Sequence, residues 1–240
     1  MVGRMAEIPS GLAAMLNPGP PARPRPAASI LLLRGTRPWQ VLMMRRPGGA
    51  DFAPGAHVFP GGSVHPVDRI VGERHRGCAL RELFEEVGVL LARRGDRWAS
   101  AADCERLRLR LAHGVNFPTA LRDAGLAPDL DGLAYFARWI TPEAMRRRFD
   151  TRFYLATMPP GQEIVAQPGE VEDWLWLEPE RALAAPDLNL VFATRRILEL
   201  VAVEEDAERL LARYAGRKRV RKVLPVVRIV EGRIEVEIPG

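Results

Sequence analysis

Only two cysteines, Cys78 and Cys104, occur in this chain of 240 residues, which excludes a disulfide framework, and no C-x-x-C pair offers a zinc site. Apolar runs approaching the roughly 18 to 20 residues of a membrane helix are missing, and Met1 to Pro26 lacks the continuous apolar stretch of a secretory signal. A soluble, cytoplasmic protein without a membrane partner is therefore expected. Histidine is scarce: His57, His65, His75 and His113 form no H-E-x-x-H arrangement, and His75 with Cys78 gives two ligands on a helix face, too few for zinc. Neither a Ser/His/Asp nucleophile motif nor a Walker phosphate loop is present. Lysine is rare too, so the net charge of +5 comes almost wholly from arginine and reads as a compositional bias. The one dense basic cluster, Arg217, Lys218, Arg219, Arg221 and Lys222, reads as a solvated run, and a nucleic-acid partner is not expected.

What is present suits one elaborated α/β domain, since 47% hydrophobic and 27% charged residues can build a sizeable core. Residues 1–27 carry Pro-Gly-Pro-Pro and Arg-Pro-Arg-Pro signals of a flexible arm, and the folded domain is expected over 28–240. Ser29 to Leu33 and Gln40 to Met44 read as a hairpin, and His57 to Val64 as a short strand entering a turn. Leu80, Leu83, Phe84, Val87 and Leu90 recur at helical spacing from about Gly77 to Leu91. Ala101 to Ala112 and Pro118 to Ala124 read as helices of an insertion over about 93–131, a segment long enough to border a substrate pocket. Tyr135 to Ile140, Phe149 to Thr157 and Val171 to Leu177 look like strands. Two C-terminal helices, Leu190 to Val203 and Asp206 to Tyr214, precede a hairpin from Val223 to Ile238 that turns at Glu231-Gly232. The sheet is thus mixed and gathered from distant segments.

The chemistry lies in Arg81-Glu82-Leu83-Phe84-Glu85-Glu86-Val87-Gly88-Val89. Glu82 is one helical turn from both Glu85 and Glu86, so three like charges share one edge and repel by a few tenths of a kcal/mol per pair. A divalent cation would compensate them, and hard carboxylate oxygens suit Mg2+, with Mn2+ as a substitute. Ahead of the helix stands Phe59-Pro60-Gly61-Gly62, whose glycines let the backbone approach a ligand. A charged, solvent-facing helix edge explains the glutamates alone; it does not explain them together with this loop.

These residues resemble the Nudix family, whose signature is Gly, five residues, Glu, seven residues, then Arg-Glu-apolar-x-Glu-Glu-x-Gly-apolar. Arg81 to Val89 matches its second half. In the first half Gly62 is followed after five residues by Asp68 in place of Glu, and twelve residues separate Asp68 from Arg81, so the loop is five residues longer. Glu73 stands at the usual distance from Arg81, but Val67 would then occupy the glycine position; Gly62 with Asp68 is preferred and Glu73 left open. Trp139-Ile140-Thr141-Pro142, Arg148-Phe149-Asp150-Thr151-Arg152-Phe153-Tyr154, Glu170 with Trp176, and Pro225 to Gly240 resemble the branch of coenzyme A diphosphatases from peroxisomes and bacteria.

That resemblance implies a mixed sheet sandwiched between helices and cleavage of a nucleoside diphosphate derivative, with coenzyme A or acyl-CoA giving 3′,5′-ADP and a phosphopantetheine. It further implies metal binding by Glu82, Glu85 and Glu86, catalytic roles for Glu82, Arg81 and the later-loop Glu170, and substrate contacts at Gly61, Gly62, Arg45 and Arg46. Asp51 stands where that branch has an arginine, which weakens the coenzyme A assignment and keeps ADP-ribose or a nucleotide sugar as alternatives. A non-catalytic Nudix-like ligand sensor or RNA-binding module is the rival of another class, and the intact carboxylates argue against it. Trp174 and Trp176 alternate along one strand and face one side, to stack a base or, more often for such residues, to pack. A homodimer is left open.

Overall fold

The computed structural model describes residues 16–230 and 233–239. The chain enters along the 144–148 segment, where Asn17 N–H donates to the Ala144 carbonyl and Arg148 reaches the Ala22 carbonyl. Strand β1 (Arg25–Arg34) then begins earlier than Ala28, inside the stretch read as a flexible arm. The reason is parallel pairing in continuous register from Arg25↔Phe149 to Leu33↔Thr157, which Pro26 tolerates at a strand start. Residues 1–15 lie outside the described residues.

After β1 come β2 (Gln40–Arg45), β3 (His57–Val58), β4 (Gly61–Ser63), α1 (Asp68–Val71) and α2 (Arg74–Val87). The segment between α2 and the next long strand holds β5 (Ala92–Arg94), β6 (Arg97–Trp98), α3 (Ala101–Ala112), α4 (Phe117–Asp123) and β7 (Ala127–Pro128). Strands β8 (Ala134–Ile140), β9 (Phe149–Thr157) and β10 (Asp173–Leu177) follow, then α5 (Pro179–Ala184), α6 (Phe192–Ala202) and α7 (Ala207–Tyr214). The chain closes with β11 (Lys222–Val223) and the hairpin β12 (Val226–Val230) and β13 (Arg233–Glu237). The expected turn at Glu231-Gly232 lies outside the described residues.

The main sheet runs β10-β2-β1-β9-β8-β11, with β3 on β2 and β4 on β1. Pairing is mixed: β1 lies parallel to β9, while β2, β4 and β10 join antiparallel. The period of two along β1 and β2 sorts the core into two layers. Ala28, Ile30, Leu32, Leu42 and Met44 meet Leu80, Leu83, Phe84 and Val87 of α2, whereas Leu31, Leu33, Val41 and Met43 meet Ile197, Leu198, Val201 and Leu210 of α6 and α7. Each fully buried Leu or Phe contributes about 1.5–3 kcal/mol, so both sheet faces are held independently of the site. Among the described residues no helix is long and apolar enough to cross a membrane.

The insertion fills the α2 side of the core through Leu107, Phe117 and Leu121, and Phe84 meets Phe117 with ring centroids 5.7 Å apart. At about 100° per residue, Phe84 lies about 200° round α2 from Glu82. The Phe117 contact of the insertion therefore falls on the flank of α2 remote from Glu82. Its short amphipathic helices have apolar faces to bury, and the open side of α2 receives them.

Candidate active site

Helix α2 is fixed at both ends by its own sequence. At the start Glu73 caps it, accepting from the His75 and Arg76 amides at 3.3 and 3.2 Å. Burial opposes charge on Glu73, but the hydrogen bonds from His75 and the nearby Arg152 outweigh it and hold the carboxyl down at about 2. Glu73 thus serves as the cap of α2, while Asp68 meets Arg81. At the far end Gly88 takes the left-handed conformation (φ 71°), where its N–H closes on the Phe84 carbonyl at 2.9 Å. The chain of 158–172 then satisfies the exposed carbonyls of the last turn, Val165 N–H donating to Val87 at 2.9 Å and Gln167 N–H to Glu86 at 2.8 Å. Gln162 anchors that segment, its buried amide bonding the Leu90 N–H and the Leu90 and Ala99 carbonyls. No pattern in the sequence marks Gln162.

Arg81 is buried and fully engaged. Its Nε and one terminal nitrogen grip the two Asp68 oxygens at 2.7 and 3.2 Å, and the latter nitrogen also reaches the Ser63 carbonyl at 3.0 Å. The other terminal nitrogen lies 2.8 Å from Glu82 and 2.9 Å from Glu85. Asp68, itself wholly buried, also accepts the His65 amide at 2.7 Å. Arg81 thus orients carboxylates, as the resemblance implies, and ties α2 to the loop after β4. Cys78 is buried beside this pair, and burial first, then Glu82, pushes its thiol up, so it remains an inert thiol.

Glu82 and Glu86 face the glycine loop. The Gly61 N–H donates to Glu86 at 2.8 Å, so this amide is spent on a carboxylate rather than left for substrate. At Gly62 a Cβ would stand 2.5 Å from the Glu82 carboxyl carbon, and at Gly61 it would stand 2.4 Å from the Ala28 carbonyl. Close approach to backbone requires glycine at Gly61, whereas at Gly62 the neighbour is the end of a side chain. Gly62→Ala meets only the movable end of Glu82, so the fold should survive; displacing that carboxylate by about 1 Å should lower turnover about 100-fold. Equal kcat for Gly62→Ala and wild type would remove Glu82 from the reaction.

Burial raises Glu82 to about 7; Arg81 pulls it back, while Glu85 and Asp68 push it further up. Glu86 lies well above the usual carboxylate range for the same first reason, with Glu82 and Glu170 adding repulsion, and the Gly61 amide and Arg46 opposing it. Glu170 and Arg46, about eighty residues after and forty before Glu86, are thus charge neighbours of one carboxylate. Arg45 behaves otherwise. Successive strand residues face opposite sides, and it lies 3.3 Å from Glu172 on the face of His57, away from Glu86. Of the two arginines expected to meet substrate, Arg46 is thus the one placed beside Glu86. Asp51, where the resemblance implies an arginine, pairs with Arg147 at 3.0 Å.

Among the described residues no three His, Cys, Asp or Glu side chains already close around a metal position, because Glu85 and Glu82 lean toward Arg81. The chemistry nevertheless suits a cation, since Glu86 is a buried carboxylate with two acidic neighbours and a single hydrogen-bond donor. The basic run from Arg217 leads into β11 at the sheet edge, remote in sequence from the carboxylates, with Arg217 stacked on Tyr214.

Comparison with known proteins agrees with this geometry. The chain spans about half to two-thirds of the length of the curated relatives it matches. A Caenorhabditis elegans relative whose name places it among the nudix hydrolases is 36% identical over 66% of this chain and 53% of its own. The acyl-coenzyme A diphosphatase NUDT19 of Homo sapiens is 26% identical, covering 71% of this chain and 65% of its own. The crystal structure of a NUDIX hydrolase from Alicyclobacillus acidocaldarius superposes with a TM-score of 0.67 at 26% identity, over 80% of this chain and 96% of that one. The family model of the NUDT19 Nudix domain matches residues 65–193, more than half of the chain and inclusive of Asp68, Arg81, the three glutamates and Glu170. On this match and the carboxylate helix it covers, the chain belongs to the Nudix family, in its NUDT19 group.

Proposed function

We propose that this chain hydrolyses the P–O–P linkage of a nucleoside diphosphate derivative in a reaction dependent on Mg2+ or Mn2+. The substrate class we favour is coenzyme A or an acyl-CoA, giving 3′,5′-ADP and a phosphopantetheine, a reading supported by the names of the NUDT19 relatives. The observation that carries it is the pair of buried Glu86 and half-buried Glu82, set against Gly61 and Gly62 with their carboxyls pushed up. Such a pair gains stability from a cation and a polyanionic ligand, whereas a solvated helix edge would carry no such burden. Glu82, Glu85 and Glu86 would hold the ion, joined by Glu170. A bound divalent ion would supply charge neutralisation of the diphosphate and lower the pKa of water.

The protein's own groups would do the rest. Arg81, locked on Asp68, keeps Glu82 and Glu85 oriented; Arg46 offers a guanidinium to a substrate phosphate. Glu82 or Glu170 accepts a proton from the attacking water. The test is a panel of coenzyme A, acyl-CoA, ADP-ribose and nucleotide sugars with Mg2+ or Mn2+, with both products identified. Coenzyme A cleavage that stops in excess chelator is the expected result. Full activity in chelator would refute the metal dependence, and far faster turnover of ADP-ribose would refute the coenzyme A assignment alone.

A further inference from the structure

Two tryptophans on β10 share a sheet face and yet have different surroundings. Trp174 stands opposite Met44 and Trp176 opposite Leu42 in the antiparallel register with β2. Directly opposed residues point to one face, and Met44 and Leu42 belong to the α2-side core. Trp176 packs against that core and lies under the Arg34 guanidinium, 4.6 Å from its centroid. Trp174 is 38% exposed and, among the described residues, enters no aromatic or cation-π pair.

The open ring is close to the proposed chemistry. Arg46 comes directly after β2, two positions beyond the Met44 that Trp174 opposes, and its charge is felt at Glu86. Its Nε is held by the Phe52 carbonyl at 3.0 Å, so the guanidinium is oriented rather than free to swing. Glu170, the other neighbour of Glu86, lies on the segment leading directly into β10. A ligand whose diphosphate rests between Glu86 and Arg46 would carry its sugar outward across one strand spacing, about 4.8 Å, and its base beyond that toward β10 and the indole.

We propose that Trp174 stacks the nucleobase of the substrate and is a specificity-determining residue for nucleoside diphosphates. The inference rests on the function proposed above, and takes the base from the flat π-face that Trp174 leaves open. An indole stacks any base, so this contact selects a nucleoside over a base-free diphosphate without choosing among bases. Trp176 contributes packing only.

The experiment compares wild type, Trp174→Ala and Trp174→Phe, each with Mg2+, in steady-state kinetics on coenzyme A or the best substrate of the panel. Inhibition by 3′,5′-ADP and by inorganic pyrophosphate is measured alongside. Loss of one stacked base is worth about 5- to 100-fold in affinity. Trp174→Ala should therefore raise KM about 10-fold or more with kcat within about twofold, and weaken 3′,5′-ADP but not pyrophosphate, while Trp174→Phe restores most of the loss. Unchanged KM, or equal weakening of pyrophosphate and 3′,5′-ADP, overturns the stacking role. Glu82→Gln assayed beside them separates the two readings. If it keeps full turnover, the proposed function fails and the inference with it; if it is inactive while Trp174→Ala has normal KM, the stacking role alone fails.

Discussion

Glu82→Gln should lower turnover by at least about 100-fold while the metal-free protein melts no lower than wild type. The two halves of that result have one cause. Burial raises the Glu82 carboxyl from its ordinary 4.5 to about 7, so an ionised Glu82 at neutral pH is a burden on the folded state. A neutral amide removes the burden and keeps the shape. In linkage terms, between about pH 4.5 and 7 the folded protein holds a proton that the unfolded chain has released. The contribution of Glu82 to stability is thus fully present below about 4.5, declines as pH rises to about 7, and is flat above. Melting curves across that range should decline less steeply for Glu82→Gln, and the rise in melting temperature on adding Mg2+ near pH 8 should shrink. Near-normal turnover, or a marked loss of metal-free stability, would remove Glu82 from the chemistry.

Asp68→Ala should be among the most destabilising single changes in the molecule. It leaves Arg81 buried without its two-pronged partner, and breaking a buried pair costs about 3–5 kcal/mol, roughly 6–20 °C in melting temperature for a domain of this size. The His65 amide loses its acceptor as well. Asp68→Asn, which keeps the shape and some hydrogen bonds, should lose less. Removing both charges with Asp68→Leu and Arg81→Met should recover stability beyond Asp68→Ala but not turnover, because Glu82 and Glu85 then lose the group that orients them. An Asp68→Ala protein melting within about 1 °C of wild type would show that the pair contributes little. A double variant with normal kcat would show that Arg81 does not position the carboxylates.

The sequence carried most of the site because its determinants are local. Glu82, Glu85 and Glu86 share an edge by helix geometry alone, and the spacing from Gly62 singled out Asp68, the acid that the structure pairs with Arg81. Arg45 and Arg46 could not be told apart, since which of two adjacent residues faces α2 depends on the pairing of β2 with β1 and β10. The insertion was found with its helices, but its side of α2 is fixed by long-range packing on Phe84. Elements as short as α1, β5, β6, β7 and β11 left no readable period, and α5 has little more than Pro179 to announce it. Gln162 acts through three bonds to Leu90 and Ala99, contacts that pair residues far apart in the chain and have no signature along it.

The short helix α1 shows where this protein has been free to grow. Asp68 opens α1, and the segment closed between Gly62 and the Asp68–Arg81 pair keeps its length, so the extra residues lie wholly downstream of Asp68 and upstream of Arg81. There the chain makes a turn of helix, caps α2 with Glu73 and rejoins the core through Val71. Loop length in that stretch is consequently decoupled from the chemistry, like slack in a tether fastened at both ends. Pattern searches that demand a fixed distance across it would pass over chains of this kind, whereas the pairing of a buried acid with the arginine of the helix would find them.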